Sequence, residues 1–84
     1  MDDYRVLLDW ESIDTLKRSR GTHRRKLLAF IESLATNPFQ VGEYQRTRGS
    51  REVEVKVLGK YAVYYWADHA VQEIKVIDII RSIH

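Results

Sequence analysis

The sequence predicts an α+β fold of order β-α-α-β-β-β, with a four-stranded antiparallel sheet and a helical hairpin packed on one face. Three observations carry this. The stretch 51–84, REVEVKVLGKYAVYYWADHAVQEIKVIDIIRSIH, reads as three strands joined by two tight turns. Upstream, Leu27, Phe30, Ile31 and Leu34 recur at i, i+3, i+4 and i+7, the spacing of one buried helical face. Helix-type and strand-type patterns are also segregated along the chain, which reads as α+β, an antiparallel sheet with a helix pair on one face.

Taken in order, residues 4–10 form the first strand, with Tyr4, Val6 and Leu8 alternating against Arg5, Leu7 and Asp9. Asp9 or Ser12 is suited to cap a short helix over 11–18, which buries Ile13 and Leu16. Ser19-Arg20-Gly21 breaks it, and Thr22 is an N-cap for a second helix over 22–36. Asn37-Pro38 ends that helix, because the residue before proline avoids the α region. Residues 39–50 read as irregular. Next, Val53, Val55 and Val57 alternate with Glu52, Glu54 and Lys56, as in a strand whose valines face the core and whose charges face water. Gly59 occupies the first central position of a two-residue turn, where a type II′ geometry requires positive φ. Residues 61–67 are aromatic and β-branched, and Asp68-His69-Ala70 turns the chain again. In 74–80, Ile74, Val76 and Ile80 fall on one face and Ile77 and Ile79 on the other. A strand apolar on both faces belongs inside a sheet.

Eighty-four residues make one domain, 1–84, with a modest core. Cysteine is absent, which removes disulfides and thiolate metal sites, and the three histidines are scattered without ligand-like spacing. No metal and no small-molecule cofactor is expected. The sequence shows neither a membrane-spanning run nor a signal-peptide apolar region, so a cytoplasmic protein is expected. The net charge of +2 is mild, but its distribution is uneven. Lys17, Arg18, Arg20, Arg24, Arg25 and Lys26 crowd one segment, and Arg46, Arg48 and Arg51 another. His23-Arg24-Arg25-Lys26 falls in the first turn of the second helix, where each cation opposes the macrodipole by ~0.3–1 kcal/mol. An anionic partner is the functional reading of that conflict, and a solvated face beside Glu11 or Asp14 the bland one.

Leu34-Ala35-Thr36-Asn37-Pro38, then Gly42, then Val57-Leu58-Gly59-Lys60-Tyr61-Ala62-Val63-Tyr64-Tyr65, and the closing Val76-Ile77-Asp78-Ile79-Ile80-Arg81 resemble, in that order, the RelE/ParE superfamily of type II toxin–antitoxin toxins. The resemblance spans nearly the whole chain. It implies a cognate antitoxin that wraps the toxin. For the RelE branch it implies ribosome-dependent mRNA cleavage that inhibits translation, with the ribosome and mRNA as partners. For the ParE branch it implies binding to DNA gyrase without nuclease chemistry. Where the ribosome-dependent nucleases carry Arg after the signature Tyr, this chain has Ala62, and it ends at Ile83-His84 without their further basic residues and Tyr.

RNA transesterification needs a base for the 2′-OH proton, cations on the phosphate and an acid for the leaving oxygen. Arg48, Arg51, Lys56 and Arg81 are the available cations, and His84, Glu52 and Tyr64 or Tyr65 the acid–base groups. The catalytic set implied is Arg51, Lys56, Arg81 and His84, with Lys56, a tyrosine and Arg81 expected on the face away from the helices. The RNA- or ribosome-binding set is Arg24, Arg25, Lys26, Arg46 and Arg48. The structural alternative is that Glu52, Glu54 and Lys56 form a solvated sheet face, that Trp10, Tyr61, Tyr64, Tyr65 and Trp66 are packing residues, and that His69 is a solvated turn residue. The leading expectation is a RelE-like mRNA endonuclease. A ParE-like or catalytically degenerate binding module is the alternative, and a general RNA-binding domain a third, weaker class.

Overall fold

The computed structural model describes residues 3–81. Along the chain run β1 (Arg5–Leu8), α1 (Trp10–Arg18), α2 (Gly21–Thr36), β2 (Tyr44–Arg48), β3 (Arg51–Leu58), β4 (Tyr61–Asp68) and β5 (Glu73–Arg81). The sheet has five strands in the order β1-β5-β4-β3-β2, not four, and it is mixed, not antiparallel. β1 pairs in parallel with β5, and every other pairing is antiparallel. The extra strand, β2, comes from the stretch expected to be irregular. Its side chains are all exposed, so it has no apolar alternation, and its pairing with β3 is set by the turn at Gly49, φ +63.

The helices lie on one face. Asp9 caps α1, its carboxylate accepting from the Ser12 N–H at 2.9 Å. α2 begins at Gly21, one residue before the expected Thr22 cap, and no side chain caps it. Leu27, Phe30, Ile31 and Leu34 are buried on the sheet as their spacing requires. They pack with Tyr61, Val63, Tyr65, Ile74, Val76 and Ile79. β5 is flanked by β1 and β4, so both of its faces are apolar for good reason. A bulge interrupts its ladder: Tyr64 opposes Asp78 and Tyr65 opposes Val76, leaving Ile77 unpaired. The extra residue reverses the alternation. Ile79 therefore joins Ile74 and Val76 in the core, and Ile80, expected beside them, points to the opposite face.

The valines of β3 also differ from expectation. Directly opposed residues of an antiparallel pair share a face. Glu54, Lys56 and Leu58 oppose the core residues Tyr65, Val63 and Tyr61, so they lie on the helix side. Val53, Val55 and Val57 lie on the far side. Val53 and Val55 are nonetheless buried there, while Val57 is 43% exposed. Trp10, expected to pack, is 82% exposed. The Gly59 turn is as expected, with φ +59, whereas the second turn extends over residues 69–72, with Gln72 at φ 55.

Replacing Leu34, which is fully buried, with alanine is expected to cost ~2–5 kcal/mol in denaturant unfolding. A loss under about 0.5 kcal/mol, the scale of surface substitutions, would show that this helical face is not the buried one.

Candidate functional site

Among the described residues, no second layer lies over the face of the sheet away from the helices, and its side chains cover one another. Arg51 lies over the Trp66 ring at 3.5 Å, Arg48 over Tyr64 at 4.6 Å, and Arg46 over Tyr44 at 5.1 Å. Lys75, paired with Trp66 on β5, is 4.8 Å from the same ring. Arg48 is also 3.3 Å from Asp78, the residue paired with Tyr64, and Lys75 is 3.6 Å from Asp68. These contacts arise from strand register. Arg46, Arg48 and Arg51 come from β2 and β3, while Tyr64 and Trp66 stand on β4 with the same orientation as Val53 and Val55. The stems and rings shield the valines, and the guanidinium heads stay in water.

At the other end of this face the charge stops. Ala62 is paired with Val57 on one side and Ile80 on the other. Val57 and the 38%-exposed Ile80 flank it, so the three strands present an apolar row. This is where the resemblance places a catalytic arginine.

Lys56 is on the opposite face, 3.0 Å from Glu43 and 5.9 Å from the Phe30 ring. It belongs to the clamp that holds residues 37–43. The Glu43 carboxylate accepts from the Val57 N–H at 2.8 Å, which lowers its pKa from the ordinary value, with a further contribution from Lys56. Glu54 accepts from the Gly42 N–H at 2.8 Å and from Gln45 at 2.9 Å. Gly42 runs so close to β3 that a Cβ there would sit 2.2 Å from the Val55 carbonyl oxygen, which explains glycine at this position. The Tyr65 hydroxyl donates to the Gln40 carbonyl at 3.1 Å from beneath. His69 is engaged as well: it stacks on Phe39 at 4.6 Å and is hydrogen-bonded to the Tyr4 hydroxyl at 2.8 Å.

The expected cations are thus distributed over three places. Arg51 is on the open face at the β2–β3 turn, Lys56 is under residues 37–43, and Arg81 is at the end of β5 on the helix side, opposite Tyr61. His84 lies outside the described residues. Of the expected acid–base groups, Tyr65 is in the core, Glu52 is exposed on the helix side, and Tyr64 is beneath Arg48. Arg46 and Arg48 share the open face with Arg51, whereas Arg24, Arg25 and Lys26 are exposed on α2 at the other side of the molecule. Arg24 donates to the Lys17 carbonyl at the end of α1. The negative end of α1's dipole therefore offsets part of the conflict at the start of α2. Sequence reasoning missed Tyr44, Lys75, Val57 and Ile80 as parts of the open face. The first lies in a strand without apolar periodicity, and the bulge hid the last.

Comparison with solved structures places the fold. The chain is similar to the RelE–RelB complex of the archaeon Pyrococcus horikoshii OT3, with a TM-score of 0.77 at 22% identity, covering 94% of each chain. It is similar to the RelBE2 toxin–antitoxin complex of Mycobacterium tuberculosis, with a TM-score of 0.75 at 16% identity, over 94% of this chain and 98% of that one. The isolated E. coli RelE toxin gives 0.76 at 17% identity, over 96% and 86%. The chain therefore has the fold of the RelE toxins. No family model and no curated protein sequence matches it. Among the described residues, no helix is long and apolar enough to cross a membrane.

Burial, followed by the charges of Glu54 and Glu43, pushes the Tyr65 phenol up to about 12 from an ordinary 10.0. A raised folded-state value means its contribution to stability is whole below pH 10.0 and lost as the pH rises toward about 12. Thermal melts across that interval should show the native chain losing stability faster than Tyr65→Phe. Parallel losses in the two proteins would place Tyr65 in a far wetter setting.

Proposed function

We propose that this chain is the toxin of a type II toxin–antitoxin pair and that it acts by binding its target through the open sheet face, without cutting RNA. The observation that carries the second part is the apolar row Val57–Ala62–Ile80. A nuclease needs preorganised positive charge where the phosphate develops its own. Here the corresponding strand positions carry three aliphatic side chains, and Arg51, Lys56 and Arg81 do not converge on one point. A protein-binding face has the opposite needs, namely an apolar centre and a polar rim that sets orientation. The row supplies the centre. Arg46, Arg48 and Arg51, held over aromatic rings, supply a positively charged rim.

The antitoxin is the natural first occupant. Relatives of the same fold are solved as toxin–antitoxin complexes. An amphipathic segment would set apolar side chains on Val57, Ala62 and Ile80 and acidic ones against the arginines. The target, gyrase or a ribosomal surface, would use the same face when the antitoxin leaves it.

The nuclease reading keeps one observation in its favour. Arginines over aromatic rings on an open sheet also suit a single RNA strand, whose phosphates and bases need those two partners. A ribosome-programmed cleavage assay on the native chain, Arg81→Ala and Ala62→Arg separates the two. The binding reading expects no cutting by any of the three, with host growth still inhibited by the native chain. Weak native cutting that rises in Ala62→Arg and vanishes in Arg81→Ala would establish the nuclease. Co-expression with the product of the adjacent gene is expected to give a co-purifying complex. Failure to pair with any neighbouring product, and no effect on growth, would remove the toxin reading itself.

A further inference from the structure

Behind the sheet, where the α1–α2 connection meets the β3–β4 turn and the end of β5, lies an open hollow of about 290 Å³ lined by Arg18, Arg20, His23, Lys60, Tyr61 and Arg81. Four of these residues are cations brought from four places in the chain: the end of α1, the residue before α2, the β3–β4 turn and the last strand. Among the described residues, no carboxylate lines the hollow. The nearest ion pair ties Arg18 to Asp14, both largely exposed on α1, and among the described residues Arg20, Lys60 and Arg81 have no acidic partner. Bringing Arg20, Lys60 and Arg81 together with no counter-charge among the described residues is unfavourable unless something anionic completes the arrangement.

Two further features point to such a ligand. The start of α2 opens here, with Arg20 at the cap position, no side chain accepting from the first-turn N–H groups, and no acidic residue in that turn. A helix start left open in this way presents N–H donors and the positive end of the dipole. Independently, Tyr61 is only 7% exposed yet lines the hollow. The hydroxyls of Tyr4 and Tyr65 are hydrogen-bonded, whereas that of Tyr61 has no partner among the described residues. The His23 ring meets Tyr61 edge-on at 5.8 Å and packs over the turn, 3.7 Å from where a Gly59 Cβ would stand. The turn, the helix start and the last strand are thus held against one another by packing, so the charges are positioned before any ligand arrives.

We infer that this hollow is a phosphate-binding site, distinct from the open face, which takes the phosphate group of a nucleotide or of a nucleic-acid strand. Lys60 and Arg81 supply the charge from the sheet side, Arg20 and the N–H groups of Gly21 and Thr22 from the helix side, and Tyr61 a hydroxyl donor from the floor. The volume exceeds that of a bare phosphate, leaving room for an attached sugar. This site would add a second, electrostatic contact with a ribonucleoprotein or nucleic acid on the side of the molecule that the open face leaves free.

The test is an NMR titration of the full chain, following the backbone amides of Gly21, Thr22 and His23. The probes are inorganic phosphate, a nucleoside 5′-monophosphate, a short single-stranded RNA, and chloride at matched ionic strength. Phosphate is expected to give saturable shifts at these amides that chloride does not. Lys60→Gln/Arg81→Gln should weaken binding roughly tenfold or more, as expected for losing charged hydrogen-bond donors. Both side chains are exposed, so the fold should persist, which circular dichroism verifies. Tyr61→Phe keeps the buried ring and should weaken binding less but measurably. Arg46→Gln, on the open face, should leave it unchanged. Tighter binding of the RNA than of the monophosphate, lost in the double variant, would identify a strand as the source, and equal binding a free nucleotide. Linear shifts that chloride reproduces, or an equal loss in Arg46→Gln, would overturn the assignment.

Discussion

The structure depends on one constraint: a five-stranded sheet has two faces, and the described residues supply helices for only one. On the helix side the problem is solved conventionally, with α2 laying Leu27, Phe30, Ile31 and Leu34 over β4 and β5. On the other side Val53 and Val55 must be kept from water by their neighbours alone. The cation–aromatic contacts of Arg46, Arg48, Arg51 and Lys75 accomplish this. Each is worth about 0.5–1 kcal/mol at an exposed site. More important is what they cover. The cover ends before Val57 and Ile80, and the uncovered row is the feature from which the functional reading grows.

Much of this was legible in the sequence because it is local. The i, i+3, i+4, i+7 stripe of α2, the stop at Asn37-Pro38, the Gly59 turn and the two-sided apolar character of β5 all follow from short-range rules. What was not legible is relational. Alternation shows that Val53, Val55 and Val57 share a face, but not which face, because both sides of this sheet bury apolar atoms. The choice is made by pairing with Tyr65, Val63 and Tyr61, which draws Glu54, Lys56 and Leu58 to the helix side. β1 could not be assigned to β5 from its four residues, since parallel pairing across the whole chain leaves no local trace. The sequence YQRTR of β2 has no apolar period at all.

The same limit applied to the site. Arg51 and Lys56 are five positions apart on one strand, and an odd spacing already sends two side chains to opposite faces. That parity was the available signal that they do not act on one phosphate. The bulge at Ile77 is the harder case. It moves Ile79 into the core and turns Ile80 outward beside Ala62. Without it, the register continued from Val76 would set Ile79 opposite Ala62 and Asp78 opposite the core residue Val63. The inserted residue therefore keeps Asp78 out of the core and places it on the open face, within reach of Arg48.

The central claim is that the uncovered apolar row is the working surface. The most direct measurement compares growth inhibition by the native chain, Ile80→Glu and Lys56→Gln, expressed at equal levels with folding verified by thermal melts. Ile80 is half-exposed on the open face, and Lys56 is on the other side of the same sheet. The account predicts that Ile80→Glu abolishes inhibition while Lys56→Gln retains it. Full inhibition by a folded Ile80→Glu protein, together with its loss in Lys56→Gln, would contradict the account and return the activity to the helix side.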